Sequence, residues 1–597
     1  MNTMKYYLTT AGLFLLMCSC NDFLEKEYDI SMSEEQVFSG KENTRGFLAN
    51  IYVNLPDIFF GFSSEQYLGA SRDCMTDNAI SYWNVHYYCS VLTDGYSAAN
   101  HPLANGVENV LDGYWKTDMY GIRKANQFLK NARAEVVGNT EKAGDDNRLF
   151  DRYISEAKLL RAIFHFDIVC WFGDAPIIGE DEEGVPVIFD LGKPEAMNMA
   201  RTNAADALKW IADQCDLVKD ALPFRYSNET ENWGRVNGAA AYALKSRALL
   251  YRASKLHNPS NNIDYWKEAA QAARDFIAKN NGLQGNPYSL FTATPSDPAK
   301  NYYECFVANP VYNNEYILCR SVWNTNAIER MLAPCGFSGT IYSVGRTNPT
   351  QNLVDCYETS NGLPIDKDPS YDEQNPYANR DPRLEQTILH QGSIWGDKQQ
   401  EEERAVDISR PDGIDYQVVH GGTLTGYYTK KFLNNISFKS PTAPAHSCPI
   451  FRYGEILLNA AEAVNEAEGP DNAYQYVNEV RGRVGMQPYS GMTKDQLGER
   501  IRNERRIELC FEDHRFFDER RWMLFEEQDA ASAPRYKQYR NLYGVTVTNP
   551  SNPDYAYGPA QTYPTRTFNS PKNYFFPLPN DEVKRAPNLK QNPGWEL

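Results

Sequence analysis

The chain has 597 residues, a formal charge of −18 at pH 7, and 42% hydrophobic and 13% aromatic side chains, among them 39 Tyr and 10 Trp. That length can bury a large core and would allow up to about four domains. An acidic surface repels phosphate backbones and anionic lipid, so no nucleic acid partner is expected, and the aromatic excess points instead to a ligand that stacks on rings.

Lys5 precedes an apolar run over residues 6–17, too short to span a bilayer but of the length of a secretory signal core. Ser19 supplies the small residue before Cys20, whereas Met17 before Cys18 does not. Residues 1–19 therefore read as a lipoprotein signal peptide and Cys20 as its lipid-modified first residue, whose acyl chains would anchor the protein without a spanning helix. Ten cysteines follow, scattered and without a CxxC. Most are expected as buried free thiols, with Cys305 to Cys319 and Cys335 to Cys356 as the candidate disulfides.

The remaining chain reads mainly as helix. Ser33, Glu34, Glu35 and Gln36 make a capped start to residues 33–54, where Phe47, Leu48, Ile51 and Tyr52 follow at helical spacing. A polar and aromatic stretch, 63–105, interrupts. Helices are expected again over 114–129 and 154–169, the second stopped by Phe172-Gly173-Asp174-Ala175-Pro176. Two helix pairs follow, 236–251 with 265–278 and 453–468 with 472–484, and small residues at their crossings give the grammar of tetratricopeptide-like repeats. Between them, residues 284–450 alternate short runs with Pro, Gly, Asn and Tyr, which predicts long loops and small strands inserted into the helical frame. Residues 503–522, NERRIELCFEDHRFFDERRW, interleave aromatics with charges. They read as helical turns broken at Glu512-Asp513-His514, with opposite charges three and four positions apart pairing while the rings pack inward.

That stretch, following the helix EILLNAAEA at 455–463, resembles the C-terminal hallmark of the SusD/RagB family of outer-membrane nutrient-binding lipoproteins. Other segments are similar to the family as well: Asn21-Asp22-Phe23-Leu24-Glu25 after Cys20, the Glu156-Ala157 and Leu160-Arg161-Ala162 helix with its FGDAP turn, and Asn361-Gly362-Leu363-Pro364. So are Asn379-Arg380-Asp381-Pro382-Arg383, Phe576-Pro577-Leu578-Pro579 and Gln591-Asn592-Pro593-Gly594-Trp595. The resemblance implies a mainly α fold, a tetratricopeptide-like scaffold with long inserted loops and a few short strands. It also implies one domain over 20–597, divided into a helical part, 20–283, a loop-rich insert, 284–450, and a C-terminal helical pair with the hallmark, 451–597. Such a protein would sit lipid-anchored on the outer membrane, facing outward, beside a SusC-like TonB-dependent transporter, and would perform no chemistry.

The motifs agree with a non-enzyme. Gly336-Phe337-Ser338-Gly339 lacks the spacing of a nucleophile elbow, and there is no HExxH or phosphate-binding glycine loop. Asp366, Asp368, Ser370 and Asp372 alternate like the start of a calcium loop, but Tyr371 stands where Gly is needed and no Glu closes it. No cofactor or metal is expected. Sugars present flat C–H faces rimmed by hydroxyls, so a binder needs exposed rings beside polar side chains. Arg72, Asp73, Asp77 and Asn78 leading into Tyr82, Trp83 and Asn84 fit that pattern, as do Trp323-Asn324 and Trp395 in Ser393-Ile394-Trp395-Gly396-Asp397. The candidate ligand set is thus Arg72, Tyr82, Trp83, Asn84, Trp323 and Trp395, whereas Trp115, Trp171, Trp210, Trp266 and Trp522 lie in helical patterns and are assigned to the core. The expected role is capture of oligo- or polysaccharide for delivery to the transporter. The alternative is a RagB-like relative delivering peptides.

Overall fold

The computed structural model describes residues 32–59, 69–81, 87–99, 113–138, 149–189, 199–293, 297–320, 323–416, 421–447, 449–526, 529–560 and 565–596. Eleven of its helices organise the rest: α1 (Lys41–Ile51), α2 (Gly113–Asn131), α3 (Leu149–Phe172), α4 (Ala204–Val218), α5 (Gly238–Ala253), α6 (Ile263–Asn281), α7 (Pro298–Val307), α8 (Tyr453–Glu468), α9 (Pro470–Arg483), α10 (Lys494–Glu508) and α11 (Arg515–Arg521). Helices α2 to α6 pack each on the next, α6 packs on α8, and α8 packs on both α9 and α10. The chain thus leaves the array after α6 and rejoins it at α8, which makes the intervening excursion an insert in a mainly α, repeat-like scaffold. No helix among the described residues is long and apolar enough to cross a membrane.

Local chemistry explains the boundaries. Ser33 and Gln36 close a reciprocal capping box on the single turn Glu34–Phe38. Asn237 caps α5 by accepting from the amide of Ala240 at 2.8 Å. The alanine run Ala239, Ala240, Ala241 and Ala243 is buried, narrow enough for α4 and α6 to flank α5 closely. Two glycines are set by approach distance: a Cβ on Gly238 would lie 2.5 Å from the carbonyl oxygen of Lys219, and one on Gly121 in α2 would lie 2.6 Å from the ring of Phe164 in α3. Helix α4 has no place in the helix pairs predicted above, although Asn203 caps it and Ala207, Leu208, Ile211 and Cys215 form its buried stripe. Trp115, Trp171, Trp266 and Trp522 are in the core, and Trp210 is half-buried against it.

The insert is more ordered than its composition suggests. Pro298 occupies the first turn of α7, whose buried Tyr302, Cys305 and Phe306 recur at helical spacing. The strands all form two-stranded antiparallel ribbons, including Ala79–Ser81 with Thr347–Pro349, Trp323–Asn324 with Ala445–His446, Ile394–Trp395 with Arg404–Ala405, and the hairpin Tyr543–Thr548 with Asp554–Pro559. Cys305 and Cys356 are buried free thiols, so neither candidate disulfide forms. Burial pushes the Cys356 thiol up to about 11. The carboxylate of Asp368 accepts from Thr359, Asn361 and Ser370, so it tightens its own loop.

The charged clasp differs from its sequence reading in one respect. The break between α10 and α11 covers residues 509–514, wider than the three residues expected, because Phe511 and Asp513 both take left-handed backbone angles, φ 62° and 64°. Its charges pair mostly with distant elements rather than along the helix; Arg521 with Asp518 at 2.7 Å and Arg520 with Glu519 at 2.8 Å are local exceptions. Glu508 is held by Arg383 at 3.0 Å and Arg452 at 2.9 Å, and also by Arg483. Arg452 reaches on to Glu315 at 2.5 Å and Glu512 at 2.6 Å, and Glu504 joins Arg383 to Arg481. A second group links Arg521 to Glu462 at 2.6 Å, with the Trp522 indole donating to the same carboxylate at 2.7 Å.

Removing one partner of a buried pair strands the others, so Glu508→Gln is expected to lower unfolding free energy by about 3–5 kcal/mol, read from denaturant midpoints. Acid gives an independent check. Burial alone would raise the Glu462 carboxyl, but Arg521 and Arg505 hold it at about 2, below the ordinary 4.5. Its contribution is therefore complete above about pH 4.5 and is lost as pH falls toward 2, ~3 kcal/mol over that window. Glu462→Gln should flatten the acid limb of the stability curve there; an unchanged limb would refute the pairing.

Candidate functional site

The structure separates the candidate ligand residues into two groups and leaves three outside the described residues: Tyr82, Trp83 and Asn84. Arg72 is interior, 6% exposed. It opens the turn Arg72–Met75, pairs with Asp513, and donates to the Tyr114 hydroxyl at 2.7 Å. Its guanidinium also lies over the Tyr114 and Trp171 rings, which stack on each other at 4.9 Å. Burial pushes Asp513 up to about 6 although Arg72 pulls the other way. The adjoining cavity holds about 70 Å³, far below the ~300–1,000 Å³ of ligand pockets. Arg72 is therefore a structural anchor, not a sugar contact.

Its neighbours follow the same pattern. Asp77 pairs with Arg515 at 2.7 Å and Arg506 at 3.2 Å, while Asp73 accepts from Asn78 at 2.9 Å and from the Phe511 amide at 2.8 Å. Trp395 is also corrected to core. In its two-residue strand Ile394 points out at 61% exposure and Trp395 points in at 5%, the alternation a strand imposes. The ring joins the main hydrophobic core. Polar neighbours in the sequence gave the opposite impression.

Trp323 belongs to a different setting. It stands opposite His446 in an antiparallel ribbon, beside the exposed Asn324. His446 contacts Glu329 at 3.1 Å; two residues on, the Met331 carbonyl accepts from Arg346 at 2.7 Å; and Thr347, next in the chain, pairs with Ser81. Ser81 leads directly into Tyr82-Trp83-Asn84. The strands carrying Trp323 and Ser81 are thereby tied into one frame, which the Phe59 ring also joins through His446 and Phe432.

A second arrangement escaped the sequence reading. Two cavities of about 540 and 330 Å³ share Asp355 and Lys367 in their walls and lie on either side of residues 534–537. Rings come from three places: Tyr371 from the insert, Tyr536 from the segment after the clasp, and Tyr543 and Tyr557 from the hairpin, where alternation sets them on one face. Arg535 lies 4.6 Å over the Tyr557 ring and pairs with Asp355 at 2.6 Å. The Tyr536 hydroxyl donates to Asp366 at 2.8 Å, and that of Tyr543 to Gln538 at 3.0 Å. The hydroxyl of Tyr371 is buried with no hydrogen-bond partner among the described residues. The signal available beforehand was the i, i+2 tyrosine spacing of 555 and 557 near Tyr543, bracketing Asn549-Pro550 and Asn552-Pro553 as a hairpin turn.

Comparison with known proteins agrees with this architecture. A profile described as "SusD family" matches residues 321–595, and one described as "Starch-binding associating with outer membrane" matches residues 22–250. SusD-like protein P2 of Formosa agariphila is 33% identical, covering 99% of this chain and 100% of its own. Among solved structures, a SusD-like protein from Bacteroides fragilis superposes with TM-score 0.72 at 24% identity, covering 95% of this chain and 99% of its own. A second protein of that organism, described as a SusD-like carbohydrate binding protein, gives 0.67 at 23%, covering 93% and 100%. With the clasp, the inserted scaffold and a full-length relative at this identity in agreement, the chain belongs to the SusD family.

Proposed function

We propose that this protein is a cell-surface, carbohydrate-binding lipoprotein, anchored in the outer membrane through acylated Cys20, that captures an oligo- or polysaccharide and delivers it to a SusC-like TonB-dependent transporter. The observation that carries this reading is the common frame of Ser81 and Trp323. Two segments rich in aromatic and amide side chains, far apart in sequence, issue from one hydrogen-bonded unit, the arrangement that ring stacking plus rim hydrogen bonding requires. Several buried carboxylates are taken up by structural pairing, as a binder allows. Asp77, Glu462, Glu504 and Glu508 are each committed to guanidinium groups, which leaves them occupied rather than free for proton transfer.

A glycan screen and titration of the chain lacking residues 1–20 tests the reading. A polysaccharide should bind with micromolar-scale affinity, and Trp83→Ala and Trp323→Ala should each weaken it about fivefold or more, one stacked ring contributing ~1 kcal/mol. Binding of peptides alone would replace the reading with peptide delivery. Trp395→Ala should behave differently, costing about 3–5 kcal/mol of stability by opening the core while the folded protein keeps its glycan affinity.

A further inference from the structure

We infer that the tyrosine-walled groove around residues 534–537 is a second binding subsite, for a neutral oligosaccharide, separate from the Ser81–Trp323 frame. The inference rests on the carbohydrate reading above and adds a location and a ligand charge class that no comparison assigns.

Its charge balance sets the ligand class. The ionised side chains in the walls each have an opposite partner within the protein: Arg535 with Asp355 and, at 3.8 Å, with Glu373, Lys367 with Asp366 at 3.0 Å, Lys537 with Glu499 at 2.8 Å, and Arg500 with Glu358 at 2.8 Å. A charged ligand would have to compete with a partner already in place, whereas hydroxyls can use outward lone pairs and protons without doing so. The rings add the apolar half of the recognition. Tyr371, Tyr536, Tyr543 and Tyr557 are all partly exposed in the groove walls, with the C–H-binding surface that sugar faces need.

Peptide is disfavoured by the state of the hairpin. An extended peptide binds by pairing with an open strand edge. Here the amide of Val545 donates to the Thr425 carbonyl on one edge. On the other, the Gln374 side chain both accepts from the Tyr555 amide and donates to its carbonyl, at 3.3 Å each. Two adjoining cavities with common wall residues also suit a linear chain of sugar units better than one compact metabolite, and 540 Å³ falls within the usual range of small-ligand sites.

The test uses the chain lacking residues 1–20 and neutral tri- and hexasaccharides of the glycan class found to bind. Ala531→Trp plugs the groove from its exposed rim without removing a hydrogen bond, and Tyr543→Ala removes one ring. Isothermal titration with the trisaccharide should give two sites per chain in the parent protein and one in Ala531→Trp. Tyr543→Ala should weaken one of the two sites about fivefold while leaving the site sensitive to Trp83→Ala untouched. A parent protein with a single site, abolished by Trp83→Ala and indifferent to both groove variants, overturns the second subsite and leaves the carbohydrate reading intact. Absence of any glycan binding in all variants overturns both. Thermal melts of the two variants, expected within a few degrees of the parent, separate loss of the site from loss of the fold.

Discussion

Three arginines converge on the buried carboxylate of Glu508, and the rest of the molecule is arranged so that they can. Transferring a carboxylate and its guanidinium partners out of water costs several kcal/mol per ion, recovered only when each lone pair and each N–H meets a partner in good geometry. The partners come from every part of the chain. Arg383 and Glu315 belong to the insert, Arg452 and Arg483 to the helical array, and Glu504 and Glu512 to the clasp itself. A shift of the insert against the array would strand charges on both sides at once. The network therefore acts on register more than on net stability: it specifies one docking of insert on scaffold and penalises the others.

The same logic reaches the N-terminal strand that feeds the candidate ligand segment. Asp77 is held between Arg506 and Arg515, Asp73 takes the amide of Phe511 at the clasp turn, and Arg72 closes on Asp513. Residues 71–78 are thereby fixed from beneath by the clasp, and the ribbon from Ala79 to Ser81 emerges from a rigid base.

This arrangement also explains which parts of the sequence were legible. Caps, alanine faces and Gly-Pro stops act within a few residues, so the array helices α2, α3, α5, α6, α8 and α9 were readable with small boundary shifts. What failed was the inference from polarity to exposure. Arg72, Asp73, Asp77 and Asn78 look like a solvated, ligand-facing cluster only if charges stay outside. In a fold whose core is itself a charge network they are its outlying members, with partners more than 400 residues away. Trp395 failed for the related reason that in a two-residue strand a single step of alternation exchanges inside for outside, and Ile394 took the outside place. The tyrosine groove was hard to read because Tyr371 precedes Tyr536, Tyr543 and Tyr557 by more than 160 residues and shares a wall with them only after the hairpin docks on the insert.

The two proposed sites are not independent in space. Thr347 pairs with Ser81 in the first frame, and Asp355 lies in the wall shared by both groove cavities. Between them run only the end of that strand and the short helix Gln351–Val354. Eight residues of fully extended chain span at most about 28 Å, and a helical turn within them shortens that reach. Asn352 reinforces the connection: its amide donates to the carbonyls of Arg535, Gln538 and Asn541, and its own carbonyl accepts from Tyr543 at 2.9 Å. A single buried carboxamide thus ties the groove's ring-bearing segments to the strand that supports the other frame. For a polymeric ligand held at the first frame, the groove is then offered at a fixed, short separation, and the second contact becomes intramolecular. Two weak subsites coupled in this way hold a long chain far better than a short one, because the gain comes from effective concentration rather than from any stronger individual contact.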